Sequence, residues 1–373
     1  MRVCFITNRL VLTDGSGRCS VSVIQELQKK GIEVIALSSV GSPKSDLINV
    51  KEYKILRSLK NYQAKWFFLI LDYIKTLSIA SRCDIIHCEI EPFAPLAYLL
   101  AKTLNKPYFV LVYGTFSIKP LKTWYLKHIY YQAYANATKV FSISYYTQER
   151  FLKEVPVADV EMISRGVDLE KFENFSGERQ KSNEQKIILS VGIVKRRKGY
   201  HISIPAVGLV AKKYPDLEYL IIGLRSNDEY FLELQQLIKD NNLEKKVKFL
   251  QDLTDEELIK LYYRANLFLL TSVNVKDRFE GLGMVHLEAN AAGLPAIGTY
   301  DCGAQDAIKN GYNGLLVPQN DIVATSEAIL KLLDNPALAQ QLGQNGKELV
   351  KALTWEKVVE KIIRNYELVL PKN

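Results

Sequence analysis

With 373 residues, 48% of them hydrophobic and 24% charged, the chain has the balance of a folded protein of two packed domains. It carries no low-complexity tract and no repeat of solenoid length, which excludes disordered and repeat architectures. The net charge of +8 resides in residues 1–150, which hold 20 Lys and Arg against 10 Asp and Glu, while the rest hold 29 against 31.

Met1 to Thr7 reads as a buried strand running into a turn. It lacks the apolar stretch and cleavage site of a signal peptide, so a cytoplasmic location is expected. Next, Asp14-Gly15-Ser16-Gly17-Arg18-Cys19-Ser20 reads as a loop whose N–H groups can cradle phosphate, leading into a helix from Ser20 to Lys30 that stops at Gly31. A dinucleotide dehydrogenase fits poorly: Ser20 occupies the third glycine position of Gly-x-Gly-x-x-Gly, and the second strand ends Leu37-Ser38-Ser39 without an acidic ribose ligand. Strands are expected near residues 2–7, 33–38, 84–88, 107–112 and 139–143. The apolar stretch from Trp66 to Ala80 is interrupted by Asp72 and Lys75 and is too short and charged to span a bilayer. Lysines alternate with aromatics at Lys60 to Phe68 and Lys119 to Tyr131, a pattern that suits an anionic membrane surface and equally a solvated face over a core helix. No nucleic-acid motif accompanies the charge. Cys4, Cys19, Cys83, Cys88 and Cys302 are odd in number and scattered, as expected of reduced thiols rather than a zinc site or disulfide frame.

Phe172 to Glu184, rich in Ser, Glu, Asn, Lys and Gln, breaks the pattern and reads as a linker. A second strand series follows at Lys186 to Val191, Leu217 to Ile222, Val247 to Leu250, Leu267 to Leu270 and Ala296 to Gly298. Two doubly wound α/β units in tandem imply a cleft, with ligands at the carboxyl ends of the strands. After the first strand of the second series, Lys195-Arg196-Arg197-Lys198-Gly199 packs four cations into one turn. Fixed cations aimed at a leaving diphosphate lower its barrier, although a charge run is often only a solvated loop.

The densest signal is Phe279-Glu280-Gly281-Leu282-Gly283-Met284-Val285-His286-Leu287-Glu288, with two carboxylates eight residues apart around a Gly-x-Gly. A helix starting near Gly283 presents free N–H groups and its positive end to a phosphate. A nucleotide-sugar wrapped around that helix end can meet Glu280 with its sugar and Glu288 with its ribose; two unrelated glutamates on a solvated helix fit the spacing as well.

Taken together, these residues resemble glycosyltransferase family 4, retaining sugar transferases of the GT-B fold, in which two Rossmann-like domains face a central cleft. The resemblance rests on Gly192 with Lys198-Gly199, Ile221-Ile222-Gly223, Val247 to Leu250, the Glu280 and Glu288 pair, Gly293-Leu294-Pro295 and Gly311 to Val317. In the first half it rests on Gly15 to Gly17, Asp84-Ile85-Ile86-His87, Ser144, Arg165 to Asp168 and Phe172. It implies an acceptor domain at 1–172, a linker at 173–185, a donor domain at 186–355 and a terminal helix over 356–373 that returns to the first domain. By the same resemblance, Lys198 holds the donor diphosphate, Glu280 the sugar and Glu288 the ribose. Gly281, Leu282, Gly283 and Met284 lie along sugar and phosphate, with Arg197 and Gly17 on the donor and Arg225 and Leu253 near the base. Gly15, Tyr113 and Thr115 fall on the acceptor side.

Two positions depart from the family pattern. Ile193 stands where members commonly carry a second diphosphate-binding Arg, leaving Arg196 or Arg197 to replace it. Tyr113 stands where they often carry His, and a phenol is neither cationic nor an imidazole at neutral pH. No Asp-x-Asp occurs, so no metal and no cofactor are expected beyond the nucleotide-diphosphate sugar itself, a UDP- or GDP-sugar. The resemblance implies hexosyl transfer to a saccharide or lipid-linked acceptor in surface polysaccharide or glycolipid synthesis, and the basic first half adds a peripheral place on the inner membrane face as an expectation. A catalytically weak nucleotide-sugar-binding homologue and an epimerase of the same fold are the alternatives.

Overall fold

Strands that are apolar on both faces can be buried only between two helical layers, and the chain contains two parallel sheets of this kind. The computed structural model describes all residues except 14, 48, 58–66, 176–184 and 371–373. The chain divides into one unit of Met1–Gly166 with Trp355–Asn373 and a second of Val167–Thr354.

In the first unit β1 (Arg2–Ile6), β2 (Glu33–Ser39), β3 (Lys51–Leu56), β4 (Ile85–Cys88), β5 (Tyr108–Val112), β6 (Lys139–Ser142) and β7 (Val160–Met162) form one parallel sheet. Their order is β3-β2-β1-β4-β5-β6-β7. The strands β4 and β5 are buried at every residue, and helices Ala94–Leu104 and Trp124–Ala135 cover the core with Leu96, Leu100, Tyr130 and Tyr134. The last helix, Trp355–Val369, belongs to this unit and buries Val358, Val359, Ile362 and Tyr366. Lys30 fastens its outer face through ion pairs to Glu356 at 3.0 Å and Glu360 at 2.8 Å.

Three edge strands escape the sequence pattern, Lys51–Leu56 and Val160–Met162 here and Gly314–Val317 in the second sheet. Lys51–Leu56 holds three charged residues and is only partly buried before Leu56, and Val160–Met162 is three residues long. The first helix also starts earlier than its composition implies, at Gly15 rather than Ser20. Glycine is a poor helix former, which hides the true start. Gly17 is needed because a Cβ there would lie 2.4 Å from the carbonyl oxygen of Val11. Gly15 and Gly17 therefore belong to the first helical turn rather than to a loop ahead of it, and Asp14 lies outside the described residues.

In the second unit β8 (Ile187–Val191), β9 (Glu218–Ile222), β10 (Val247–Leu250), β11 (Leu267–Leu269), β12 (Ala296–Thr299) and β13 (Gly314–Val317) are also parallel, in the order β10-β9-β8-β11-β12-β13. Helix Asp255–Arg264 opens with a capping box in which Thr254 and Glu257 each satisfy the other's backbone N–H. The division at Gly166 and Val167 falls before the expected boundary at 172. The reason is packing: within the second unit Tyr263 donates to the Phe172 carbonyl at 2.7 Å and Phe175 stacks on Tyr263 at 5.0 Å. Thus the expected linker is still packed at its start, and its residues 176–184 lie outside the described residues. Likewise the C-terminal boundary is at Thr354 and Trp355, one residue earlier than expected.

All five cysteines are buried and none forms a disulfide. Among the described residues, no helix is long and apolar enough to cross a membrane.

Candidate active site

Ligands of open parallel sheets gather past the carboxyl ends of the strands, where the strand order reverses. In the second unit that point lies between β8 and β11. The segment after β8 folds into a tight turn at Arg196–Lys198, and the segment after β11 carries Ser272 and, further on, Glu280. Two bonds hold the segments together: Val273 N–H donates to the Arg197 carbonyl at 2.8 Å and Thr271 Oγ1 to the Gly199 carbonyl at 2.7 Å.

That framework brings three donors onto one oxygen. Glu280 Oε2 accepts from Lys198 Nζ at 2.5 Å, Arg197 Nη1 at 3.0 Å and Ser272 Oγ at 3.2 Å. The Lys198 and Glu280 side chains are 8% and 11% exposed, against 30% for Arg197, so the pair is nearly sealed and the arginine faces outward. Burial alone would raise the Glu280 carboxyl, but Lys198 and Arg197 hold it at about 2. Arg196 turns away, pairing with Glu233 and lying 4.9 Å over the Tyr230 ring. Of the two arginines that could take the place of a cation at Ile193, Arg197 is the one beside Lys198.

Gly281, Leu282, Gly283 and Met284 lead directly from this cluster into helix Met284–Ala291. Gly283 is its N-cap residue, left-handed at φ 74°, and supplies no side-chain cap. Glu288, half-buried further along that helix, accepts from Tyr262 Oη at 3.0 Å. Arg225 follows β9 and lies 4.9 Å from the Phe231 ring centroid and 6.0 Å from that of Phe249; Leu253 follows β10. Every one of these positions therefore follows the carboxyl end of a strand in one sheet. Sequence reasoning missed Ser272 and His286, both buried polar residues. The signal for Ser272 was its place two residues past the apolar run Leu267 to Leu270.

In the first unit Tyr113 and Thr115 follow β5, while Gly15 and Gly17 follow β1. Tyr113 is fixed on all sides. Its N–H donates to Glu91 Oε1 at 2.7 Å, its hydroxyl to Glu89 Oε1 at 2.9 Å, and the Arg165 guanidinium lies 5.2 Å from its ring. Arg165 pairs with Glu89, and both side chains are sealed from solvent. Glu89 is ionised below the usual range because Arg165 and His87 outweigh its burial. Glu91 lacks such a cation, and burial pushes it up to about 7. The signal for this cluster was Glu89-x-Glu91 directly after the apolar strand Ile85–Cys88.

The family model described as "Glycosyl transferases group 1" matches residues 171–349, and that described as "Glycosyltransferase Family 4" matches residues 13–171. The chain belongs to glycosyltransferase family 4 and has the GT-B fold. It is 26% identical over 294 residues to an uncharacterised glycosyltransferase of Methanocaldococcus jannaschii, covering 79% of this chain and 78% of that protein. It is 28% identical over 222 residues to the D-inositol 3-phosphate glycosyltransferase of Corynebacterium urealyticum, covering 56% of this chain and 51% of that one. The chain thus spans about half the length of this second relative. Among solved structures it is similar to Anabaena HepE in complex with UDP and glucose, with a TM-score of 0.80 and 17% identity over 99% of this chain and 100% of that one.

Proposed function

We propose that this glycosyltransferase moves a hexose from a UDP- or GDP-sugar to a saccharide or lipid-linked acceptor, with retention of configuration and without a metal. The observation that carries the reading is the convergence of Lys198 and Arg197 on Glu280 beside the open start of helix Met284–Ala291. Two fixed cations and a helix N-terminus complement a diphosphate, and their fit improves as negative charge develops on it when it leaves. The absence of Asp-x-Asp from the sequence leaves these groups to do what a metal does elsewhere. The relative solved with UDP and glucose supports a nucleotide-sugar donor.

In this reading the anomeric bond to the diphosphate breaks while a bond forms to the acceptor hydroxyl oxygen. The acceptor proton passes to the leaving diphosphate oxygen on the same face. Glu280 orients sugar hydroxyls and holds the cations, Glu288 meets the ribose, and Arg225 and Leu253 flank the base. The first unit, through Gly15, Tyr113 and Thr115, serves the acceptor. Thermal-shift titration with UDP, GDP and ADP tests the donor, since a ligand of the native state raises apparent stability. Product analysis with donor alone and with acceptor extracts tests the reaction. An altered sugar released without acceptor establishes an epimerase instead, and nucleotide binding without turnover on any acceptor establishes a binding protein.

A peripheral place on the inner membrane face is part of the same reading. Phe116, Trp124 and Tyr125 are 57%, 88% and 51% exposed, and Lys119, Lys122 and Lys127 are exposed beside them in sequence. Rings that seat at a lipid interface and lysines that seek anionic headgroups suit such a surface. The companion segment Lys60 to Phe68 lies outside the described residues up to Trp66. Cosedimentation with phosphatidylglycerol vesicles should be lost with Trp124→Ala and Tyr125→Ala together, and lost in about 1 M salt, where the screening length is ~3 Å. Binding unchanged by both treatments removes the membrane from the proposal.

A further inference from the structure

His286 is a residue to which the donor reading gives no task. It is fully buried in the first turn of helix Met284–Ala291, three residues after Gly283. Its backbone N–H donates to the Gly283 carbonyl at 2.9 Å, and its ring Nδ1 lies 2.9 Å from that same oxygen. A carbonyl only accepts, so Nδ1 carries the proton and Nε2 does not. Nε2 makes no well-aligned hydrogen bond. The ring is kept in place by its bond at Nδ1, with the Leu270 carbonyl also acting on it, and by packing: it meets Phe268 of β11 edge-on at 5.3 Å. A Cβ on Gly298 of β12 would lie 3.2 Å from Nε2.

An imidazole buried beside apolar strands with one ring nitrogen lacking a well-aligned hydrogen bond costs stability, and a leucine would fill the space without that cost. What the histidine supplies is a second tether on Gly283. This glycine is left-handed at φ 74°, and a Cβ on it would lie 2.6 Å from His286 Nδ1. The turn that aims the Gly281-Leu282-Gly283 backbone is thus held by the ring that fills the space beneath it.

We propose that His286 is a positioning residue for the donor diphosphate: its Nδ1–H fixes the Gly283 carbonyl and, through it, the direction of the N–H groups at the start of the helix. The inference rests on the donor reading. Neutrality suits the task. Burial drives the imidazolium down to about 4, against the pull of the Gly283 and Leu270 carbonyls and Glu280, so the ring stays a neutral donor across the physiological range.

The test is isothermal calorimetry of the full chain with UDP and with GDP, using whichever the wild type binds, together with uridine or guanosine as a probe without phosphates. His286→Leu should weaken diphosphate binding about tenfold while leaving nucleoside binding within about twofold, the loss of one well-placed hydrogen bond. Asparagine places its amide nitrogen where Nδ1 stands, so His286→Asn should recover affinity to within about threefold of wild type, whereas glutamine, whose amide reaches one atom further, should not. Equal diphosphate affinity in His286→Leu and wild type overturns the proposal, as does an asparagine variant no better than leucine or a loss shared equally by diphosphate and nucleoside. Should the leucine variant not fold, the asparagine and glutamine variants decide: equal affinities overturn it. A wild-type chain that binds neither UDP nor GDP refutes the donor reading itself, an outcome separate from all of these.

Discussion

The hydroxyl of Tyr366 lies 2.6 Å from His87 Nδ1, joining the last helix to the fourth strand of the first sheet inside a core with no access to solvent. The other ring nitrogen lies 3.0 Å from Glu89, whose ionised carboxylate accepts. With Nε2 donating to Glu89, Nδ1 accepts from Tyr366. Tyr366→Phe leaves a buried acceptor unmet and should cost about 1–3 kcal/mol, read as a lower urea midpoint at unchanged slope. A midpoint within error of wild type would show that the hydroxyl contributes nothing.

Lys198→Ala removes the sealed cation while leaving Arg197 and Ser272 on Glu280. Turnover should fall by two or more orders of magnitude, about the effect of losing one fixed charge from a site that stabilises a leaving group, with the circular dichroism spectrum unchanged. Glu280→Ala should do the same. Near-normal rates in both variants would sink the assignment of this cluster as the site of chemistry.

The Glu280 ion pair also has a pH signature. Its folded-state pKa, about 2, lies below the ordinary 4.5, so its contribution to stability is complete above pH 4.5 and is lost as pH falls through 2. In urea denaturation, Glu280→Gln should be less stable than wild type at pH 6, by roughly 3 kcal/mol, and the gap should close between pH 4.5 and 2. A gap independent of pH would mean that the carboxylate is not held by its cations.

Glu91 runs the other way. Burial raises its pKa from 4.5 to about 7, so its proton stabilises the fold below pH 4.5, and that stability is lost as pH rises through 7. Glu91→Gln keeps an acceptor for the Tyr113 N–H and has no proton to lose. The variant's stability relative to wild type should therefore rise between pH 4.5 and 7, measured as the difference in urea midpoint. A flat difference over that range would show that Glu91 titrates normally.

The physical reasons for what the sequence revealed are specific. Central strands such as Tyr108–Val112 are buried at every residue, so they had to be written as unbroken apolar runs. Lys51–Leu56 lies at a sheet edge with one flank open and needs no such run. Lys198, Glu280 and Gly283 stood out because they sit in short stretches dense with charge or glycine. The pairing of Glu89 with Arg165, 76 residues apart, leaves no local mark, because only the approach of β4 and the segment after β7 makes them partners. His286 carried no such mark, since the carbonyl it holds is backbone and leaves none in composition.

The pairing of Tyr366 with His87, and the seating of Trp355 against Gly166, where a Cβ would lie 2.5 Å from the indole ring, bear on the order of events at the ribosome. Residues 1–166 emerge first, yet the helix that seals their sheet is synthesised only after the whole of Val167–Thr354. The second unit, continuous in sequence, has all its strands at hand as soon as it leaves the exit tunnel. The first must wait with the face that Val358, Val359, Ile362 and Tyr366 will cover still wet. In this chain the part made first is the part finished last, and a ribosome that stalls before residue 355 releases a completed second unit joined to an open first one.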